Sequence, residues 1–196
     1  MAWDTERTKQ LLLDAATEEF SRYGLAGSRI DRIAEKAGVN KERSYQYFGK
    51  KDEFFGIVLE RQLAAVMNAV SITGSGVEAV LDYAGRCFDY QVQHPELARL
   101  TFWEGLERDE PTALAYRSAG ADNKVVRLRA ALPQLGEDDA RELLMTILTL
   151  CDGWQVLRNM DRVYTGTVDR DAARNSRRRA SVLHLIEAHV RSLVDA

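Results

Sequence analysis

Side chains that can read nucleic-acid bases are concentrated in one short segment, residues 28–51. Arginine and lysine donate to guanine, asparagine and glutamine pair with adenine, and tyrosine and lysine suit phosphate oxygens. Over residues 29–51 the basic side chains exceed the acidic ones by four, although the whole chain has a net charge of −3. A basic segment on an acidic chain is typical of a small surface that contacts nucleic acid. The candidate contact residues are Ser28, Arg29, Asn40, Lys41, Arg43, Tyr45, Gln46, Tyr47 and Lys51.

Two short helices joined by a tight turn, within residues 28–48, must position these side chains. Ser28 is placed to cap the first helix, and Gly38 can adopt the left-handed conformation that ends it. Asn40 is expected to cap the second helix, which is too polar to be core and too short to be stable without support. These dimensions predict a helix-turn-helix whose second helix enters the DNA major groove.

Residues 24–55 resemble the DNA-binding domain of the TetR family. The resemblance is carried by Ile33-Ala34 and Gly38-Val39, then by Tyr45-Gln46-Tyr47-Phe48, and finally by Lys51-Asp52-Glu53-Phe54-Phe55. It implies a recognition helix that contacts bases and backbone through Asn40, Lys41, Arg43, Tyr45, Gln46 and Tyr47. It also implies that Lys51 binds phosphate at the start of the fourth helix.

One position of the recognition helix departs from the family pattern. The residue before Tyr45, usually apolar in this family, is Ser44. As the fourth helical position it would normally pack against the residue before the cap, here Val39. We therefore expect the helix to be held less firmly, by up to about 1 kcal/mol.

The sequence as a whole predicts an all-α protein. Its three prolines stand where helices begin or end, and no segment alternates strictly between polar and apolar residues. We expect a first helix over residues 5–23 that Gly24 ends, and two long closing helices over 138–160 and 171–194. The predicted architecture is an N-terminal three-helix helix-turn-helix DNA-binding domain (residues 1–50) joined to a larger helical-bundle ligand-binding and dimerisation domain (residues 51–196).

Aromatic and sulphur-containing side chains in the later helices are candidates for a ligand pocket. They could simply fill a helical core, whereas the family resemblance implies a mostly apolar effector pocket among them. Asp152 lies in an otherwise apolar helix, either as a pocket anchor or at a subunit interface, and needs a hydrogen-bond partner if it is buried. The candidate pocket residues are Tyr83, Cys87, Tyr90, Trp103, Tyr116, Met145 and Trp154.

The two closing helices have more apolar surface than a monomer needs. Spacings of three and four residues align it in stripes, and Thr149 and Gly153 are small enough for close helix approach. This pattern favours a homodimer with a four-helix interface, whose recognition helices would lie about 34–36 Å apart on a pseudo-palindromic operator. The candidate interface residues are Leu144, Ile147, Leu148, Val182, Ile186, Val190 and Leu193.

No residue pattern indicates catalysis, a cofactor or a metal site. His184 and His189 are five residues apart rather than the four that a helical metal site needs, and the two cysteines form no CxxC motif. The arginines at 177–179 are interpreted as a solvated or interface surface. Residues 1–9 lack the apolar segment of a secretory signal, and no later segment could span a membrane, so we expect a cytoplasmic protein without a membrane partner.

These patterns predict a ligand-responsive transcriptional repressor that binds a DNA operator as a dimer and is released by an unidentified small-molecule effector. The alternative is a helical small-molecule- or partner-binding protein with a vestigial DNA-binding module. Ser44 and the modest basic charge leave room for that alternative. A DNA-binding protein would lose affinity steeply with salt, which distinguishes the two.

Overall fold

The computed structural model describes the backbone of residues 2–194 and the side chains of residues 5–194. All regular structure in that part of the chain is helical, which confirms the all-α prediction. None of the helices there combines the length and apolar character of a membrane span. The helices are α1 (Ala2–Gly27), α2 (Ile30–Ala37), α3 (Lys41–Phe48), α4 (Lys51–Ala69), α5 (Gly76–Gln93), α6 (Pro95–Glu107), α7 (Leu114–Ala131), α8 (Glu137–Val156), α9 (Arg158–Thr165) and α10 (Ala172–Val194).

The chain forms two compact units. The first comprises Met1–Ala65 with Glu96–Leu114, and the second comprises Val66–Pro95 with Ala115–Ala196. The first unit therefore extends past residue 50, where the sequence suggested a boundary, and it also includes α6. The extension follows from burial, because Phe54 and Phe55 at the start of α4 have no exposed surface.

An aromatic cluster holds the first unit together. Phe20 of α1 meets the rings of Phe54 and Phe55 edge-on, with centroids 5.8 Å and 5.4 Å apart. Phe48, the last residue of α3, stacks on Phe54 at 4.3 Å. Each such pair contributes about 0.5–1.5 kcal/mol beyond its buried area. The cluster therefore fixes the end of the short helix α3 to α1 and α4.

The chain leaves the helical conformation at Gly24, as predicted. Gly24 has φ 70° and ψ −175°, and a short helical segment continues to Gly27. The prediction that Ser28 caps α2 is wrong, because the N-cap is Arg29 and α2 has no side-chain cap. Ser28 is instead buried, with its hydroxyl donating to the carbonyls of Glu19 (3.3 Å) and Gly24. It closes the loop between α1 and α2.

The turn between α2 and α3 forms as predicted. Gly38 ends α2 in the left-handed conformation (φ 66°, ψ 31°), with its N–H directed to the carbonyls of Ala34 and Glu35. The Asn40 side chain accepts a hydrogen bond from the backbone N–H of Glu42 at 3.3 Å and so caps α3. The helix-turn-helix geometry is thus set by local sequence.

The closing helices of the second unit differ from the expectation in one respect. The predicted helix over 138–160 ends at Val156, and the separate short helix α9 follows. The Arg170 side chain donates to the carbonyls of Trp154 and Leu157, the latter at 3.1 Å. This guanidinium bonds carbonyls that the end of α8 leaves free, so α8 can stop there.

Five of the seven residues predicted to form a dimer interface lie in the core of the single chain, so the prediction is wrong for those five. Leu144, Ile147, Val182, Ile186 and Val190 are buried, and Leu148 and Leu193 pack against the same cluster. The reason is that α5 packs against both α8 and α10 and covers their apolar faces. An apolar stripe shows that one face of a helix is buried. It does not show whether the helix that buries this face belongs to the same chain or to a second subunit.

Removing the Ser44 hydroxyl should stabilise the protein. Ser44 is 1% exposed, and its Oγ has no hydrogen-bond partner among the described residues. Because an unpaired buried hydroxyl keeps its desolvation penalty, Ser44→Ala should raise the free energy of unfolding by about 1 kcal/mol. Urea denaturation measures this, with Ser118→Ala on the exposed face of α7 as a control for helix propensity. A Ser44→Ala protein less stable than the Ser118→Ala control would contradict the assignment.

Candidate DNA-binding surface and interior polar cluster

The side chains predicted to contact DNA form one exposed surface on α3 and the residue that caps it. Asn40, Lys41, Arg43 and Gln46 are exposed, Tyr45 is 51% exposed, and Tyr47 is half-buried. Arg29 at the start of α2 is exposed as well. Such a helix can present its polar side chains to a major groove without rearrangement.

The side chains of two predicted contact residues, Ser28 and Lys51, form hydrogen bonds within the protein. The Ser28 side chain is 3% exposed, so the prediction that it contacts DNA is wrong for its hydroxyl. The Lys51 ammonium donates to the carbonyls of Ala26 (3.3 Å) and Ser28 (3.2 Å). An ammonium has three N–H groups, so Lys51 can hold this loop and still offer one donor to a phosphate.

The ion pairs on this surface are exposed and weak. Lys41 lies 3.4 Å from Asp31, with the two side chains 53% and 75% exposed. Pairs of this kind contribute about 0–1 kcal/mol, so DNA phosphates can replace the carboxylate at little cost. Arg43 makes no ion pair among the described residues. The cations of α3 are therefore available for a nucleic-acid partner.

A cleft beside the recognition helix adds one residue that sequence reasoning missed. It has a volume of about 470 Å³ and lies between the start of α1 and the turn that precedes α3. Arg7 and Arg43 line it from the two sides. No local motif singles out Arg7, because its proximity to α3 arises only from the packing of α1 on α2.

Helix α6 holds the end of α1 within the first unit. Arg99 Nε and Trp103 Nε1 both donate to the Ser21 carbonyl, at 2.7 Å and 3.2 Å. Glu107 accepts from the backbone N–H groups of Leu25 (2.5 Å) and Ala26 (3.2 Å). The prediction that Trp103 lines an effector pocket of the second domain is therefore wrong, because its indole supports the DNA-binding unit.

The other predicted pocket residues do not form one set. Tyr83, Cys87 and Trp154 are buried in the core of the second unit, and Tyr90 is half-buried beside the His94 ring. Two others are exposed, which corrects their assignment to an interior pocket of the single chain. These two are Tyr116 at 41% and Met145 at 63% exposure.

Polar groups within this core are poorly satisfied. Asp152 accepts a hydrogen bond from Gln91 Nε2 at 2.6 Å, which supplies the partner that a buried carboxyl requires. Neither Gln91 Oε1 nor the Tyr83 hydroxyl has a nitrogen or oxygen partner among the described residues. The Cys87 thiol beside Tyr83 is only a weak acceptor. A core with unpaired polar atoms is suited to receiving a polar ligand.

Burial keeps most of this cluster uncharged. It raises the pKa of Tyr83 and of the Cys151 thiol, and it raises the pKa of Cys87 to about 11. Burial also raises the pKa of Asp152 to about 7, which the hydrogen bond from Gln91 only partly offsets. Asp152 is therefore the group of the cluster that titrates near neutral pH. No group of three or more metal-ligating side chains converges among residues 5–194.

Asp152 should make stability fall as the pH rises. Because its folded pKa of about 7 exceeds the unfolded value, the folded state binds the extra proton between about pH 4 and 7. Asp152→Asn, which keeps the acceptor for Gln91, should raise the free energy of unfolding on the order of 2–4 kcal/mol at pH 8 and far less at pH 5. Urea denaturation at both pH values tests this, with exposed Asp109→Asn as the control. An equal effect of Asp152→Asn at both pH values would contradict it.

Each of the two units contains most of a segment that matches a known protein family. Residues 12–56 match the family described as "Bacterial regulatory proteins, tetR family", and residues 80–187 match "Tetracyclin repressor-like, C-terminal domain". The chain is 36% identical to the HTH-type transcriptional repressor SCO4008 of Streptomyces coelicolor, covering 92% of this chain and 96% of that protein. It is 32% identical to the HTH-type transcriptional repressor NicS of Pseudomonas putida over 55% of this chain and 52% of that one.

A solved structure shows the same likeness in three dimensions. The putative transcriptional regulator SCO4942 from Streptomyces coelicolor superimposes with a TM-score of 0.75 at 31% identity, covering 92% of this chain and 97% of that one. The matches to both domain families and to a relative along nearly the whole chain agree with the capped helix-turn-helix described above. The chain belongs to the TetR family of helix-turn-helix transcriptional regulators.

Proposed function

We propose that this protein is a ligand-responsive repressor that binds a pseudo-palindromic DNA operator as a homodimer. The observation that carries the proposal is the recognition helix α3, which is capped by Asn40, anchored by Phe48 and exposes Lys41, Arg43 and Gln46. Two relatives named as HTH-type transcriptional repressors support the direction of regulation. Among the described residues, the capped and anchored recognition helix gives no support to the alternative of a vestigial DNA-binding module.

The outer faces of α8 and α10 are the proposed dimer surface, since their inner faces are core. Met145 and Thr149 are exposed on α8, and Leu185 (52%) and Ala188 are exposed on α10. These residues follow a spacing of three and four, with small side chains that allow close helix approach. A two-fold interface of this kind would place two recognition helices on successive turns of the same DNA face.

An effector bound in the second unit would act by favouring a dimer conformation with lower operator affinity. The effect cannot exceed the difference between the affinities of the effector for the two conformations. The Tyr83 hydroxyl and Gln91 Oε1, which have no nitrogen or oxygen partner among the described residues, support a ligand site in this unit. Effector binding and operator binding are thus expected to weaken each other reciprocally.

Arg43→Ala should weaken binding to a duplex selected by the wild-type protein from random DNA by about 1–3 kcal/mol, because it removes a major-groove donor. Fluorescence anisotropy measures the affinity at two salt concentrations. Arg162→Ala, at an exposed arginine of the short helix α9 in the other unit, is the matched control and should bind like the wild type. If the Arg43 variant also bound like the wild type, the recognition helix would be misassigned; a wild-type protein that selected no duplex would support the vestigial alternative.

Leu185→Glu should convert the dimer to a monomer, because it places charge in the proposed interface. Light scattering after gel filtration reports the mass, and the same variant should lose operator affinity. Val126→Glu is the control, since Val126 on α7 is 66% exposed and lies outside the proposed interface. A Leu185→Glu protein that remains dimeric would show that subunits associate through a different surface.

A further inference from the structure

A second cavity in the second unit has an unusual charge balance. It has a volume of about 140 Å³ and lies between α7 and the segment that follows α4. Its cations are Lys124 and Arg127, its apolar wall includes Met67, Val70 and Ile72, and no acidic residue lines it. A partly open cavity with an apolar wall, a half-buried lysine, an exposed arginine and no carboxylate is suited to an organic anion.

The positive charge of the cavity is not neutralised within the chain. Lys124 has no ion-pair partner among the described residues, and burial lowers the pKa of its ammonium. Arg127 Nε donates to the neutral Asn123 side chain at 2.8 Å. The nearby carboxylate of Asp122 is paired with Arg141 at 3.0 Å. A partly buried charge without a partner is unfavourable, so a bound anion would recover the lost electrostatic free energy.

Two polar side chains of this unit, Cys87 and Tyr83, are more deeply buried than the lysine. The Lys124 ammonium is close enough to the Cys87 thiol for each to affect the pKa of the other, and that thiol adjoins the Tyr83 hydroxyl. Tyr83 is 1% exposed, and its hydroxyl has no nitrogen or oxygen partner among the described residues. The same unit that holds the cationic cavity therefore also holds a buried hydroxyl without a nitrogen or oxygen partner among the described residues.

We propose that this cavity binds a small organic carboxylate, with Lys124 as the partner of the carboxylate group and Val70 and Ile72 contacting the apolar body of the ligand. The proposal deepens the function proposed above, because it assigns the effector to a chemical class. An engineered apolar cavity of about 150 Å³ holds benzene, so the space here suits a single ring. Met67 packs against Gly120 at the cavity wall, and its flexible side chain can adjust to the ligand.

Calorimetry on the full-length protein without DNA tests the site with three probes at constant ionic strength. These probes are benzoate, its neutral analogue benzamide, and inorganic phosphate. Benzoate should bind at least tenfold more tightly than either of the others. Equal binding of benzoate and benzamide, stronger binding of phosphate, or no binding of benzoate would overturn the proposal. This comparison needs no variant and so does not depend on the folding of a mutant protein.

Lys124→Met should reduce benzoate affinity at least tenfold while leaving benzamide affinity within twofold. Lys36→Met, the same substitution at an exposed lysine of the first unit, should leave both unchanged. Benzoate binding that survives in Lys124→Met would overturn the assignment. Operator binding is measured separately by anisotropy, so Lys124-dependent benzoate binding supports the site even if the protein binds no operator. Absent benzoate binding rejects the site even if operator binding is intact.

Discussion

The stacking of Phe48 on Phe54 is the contact on which the DNA-binding surface depends. A helix of eight residues is not stable alone, so α3 must be fixed from outside. Asn40 caps its first turn, and Phe48 ties its last turn to α4 and, through Phe54, to Phe20 of α1. With both ends held in this way, the exposed face between them can be polar and basic. The same residues that make α3 a poor helix in isolation make it a good surface for DNA.

A different constraint governs the second unit, where buried and half-buried polar groups lack enough partners. The Asp152 carboxyl has one hydrogen bond from Gln91, the Tyr83 hydroxyl has no nitrogen or oxygen partner among the described residues, and the Lys124 ammonium has no counterion there. An apolar core of the same shape would be more stable than this one. Such costs are characteristic of sites that bind ligands, where stability is sacrificed for recognition. The chain passes between the two units after Ala65, Pro95 and Leu114. A ligand bound in the second unit can therefore influence DNA binding through three covalent connections.

Local signals predicted the helix-turn-helix well, because Gly38 and Asn40 act through their own backbone and nearest neighbours. Features that depend on long-range packing could not be predicted in this way. The Val182 stripe was assigned to a dimer because periodicity does not identify the covering helix, which proved to be α5 of the same chain. Trp103 was grouped with the pocket by residue type, whereas its hydrogen bond to Ser21 joins positions 82 residues apart. The sequence contains no signal for Lys124, because the absence of an ion-pair partner among the described residues is visible only in the structure.

Whether α3 reads DNA is tested most directly by comparing the affinity of the wild-type protein for the DNA beside its own gene with its affinity for random DNA. Anisotropy at two salt concentrations gives both the salt dependence and the specificity ratio. With α3 as its recognition helix, the protein should bind the adjacent DNA more tightly than random DNA by a factor of about 10³ or more at physiological salt, with affinity falling steeply as salt increases. Equal and weak binding to all sequences would contradict the assignment of α3 as a recognition helix that reads this DNA.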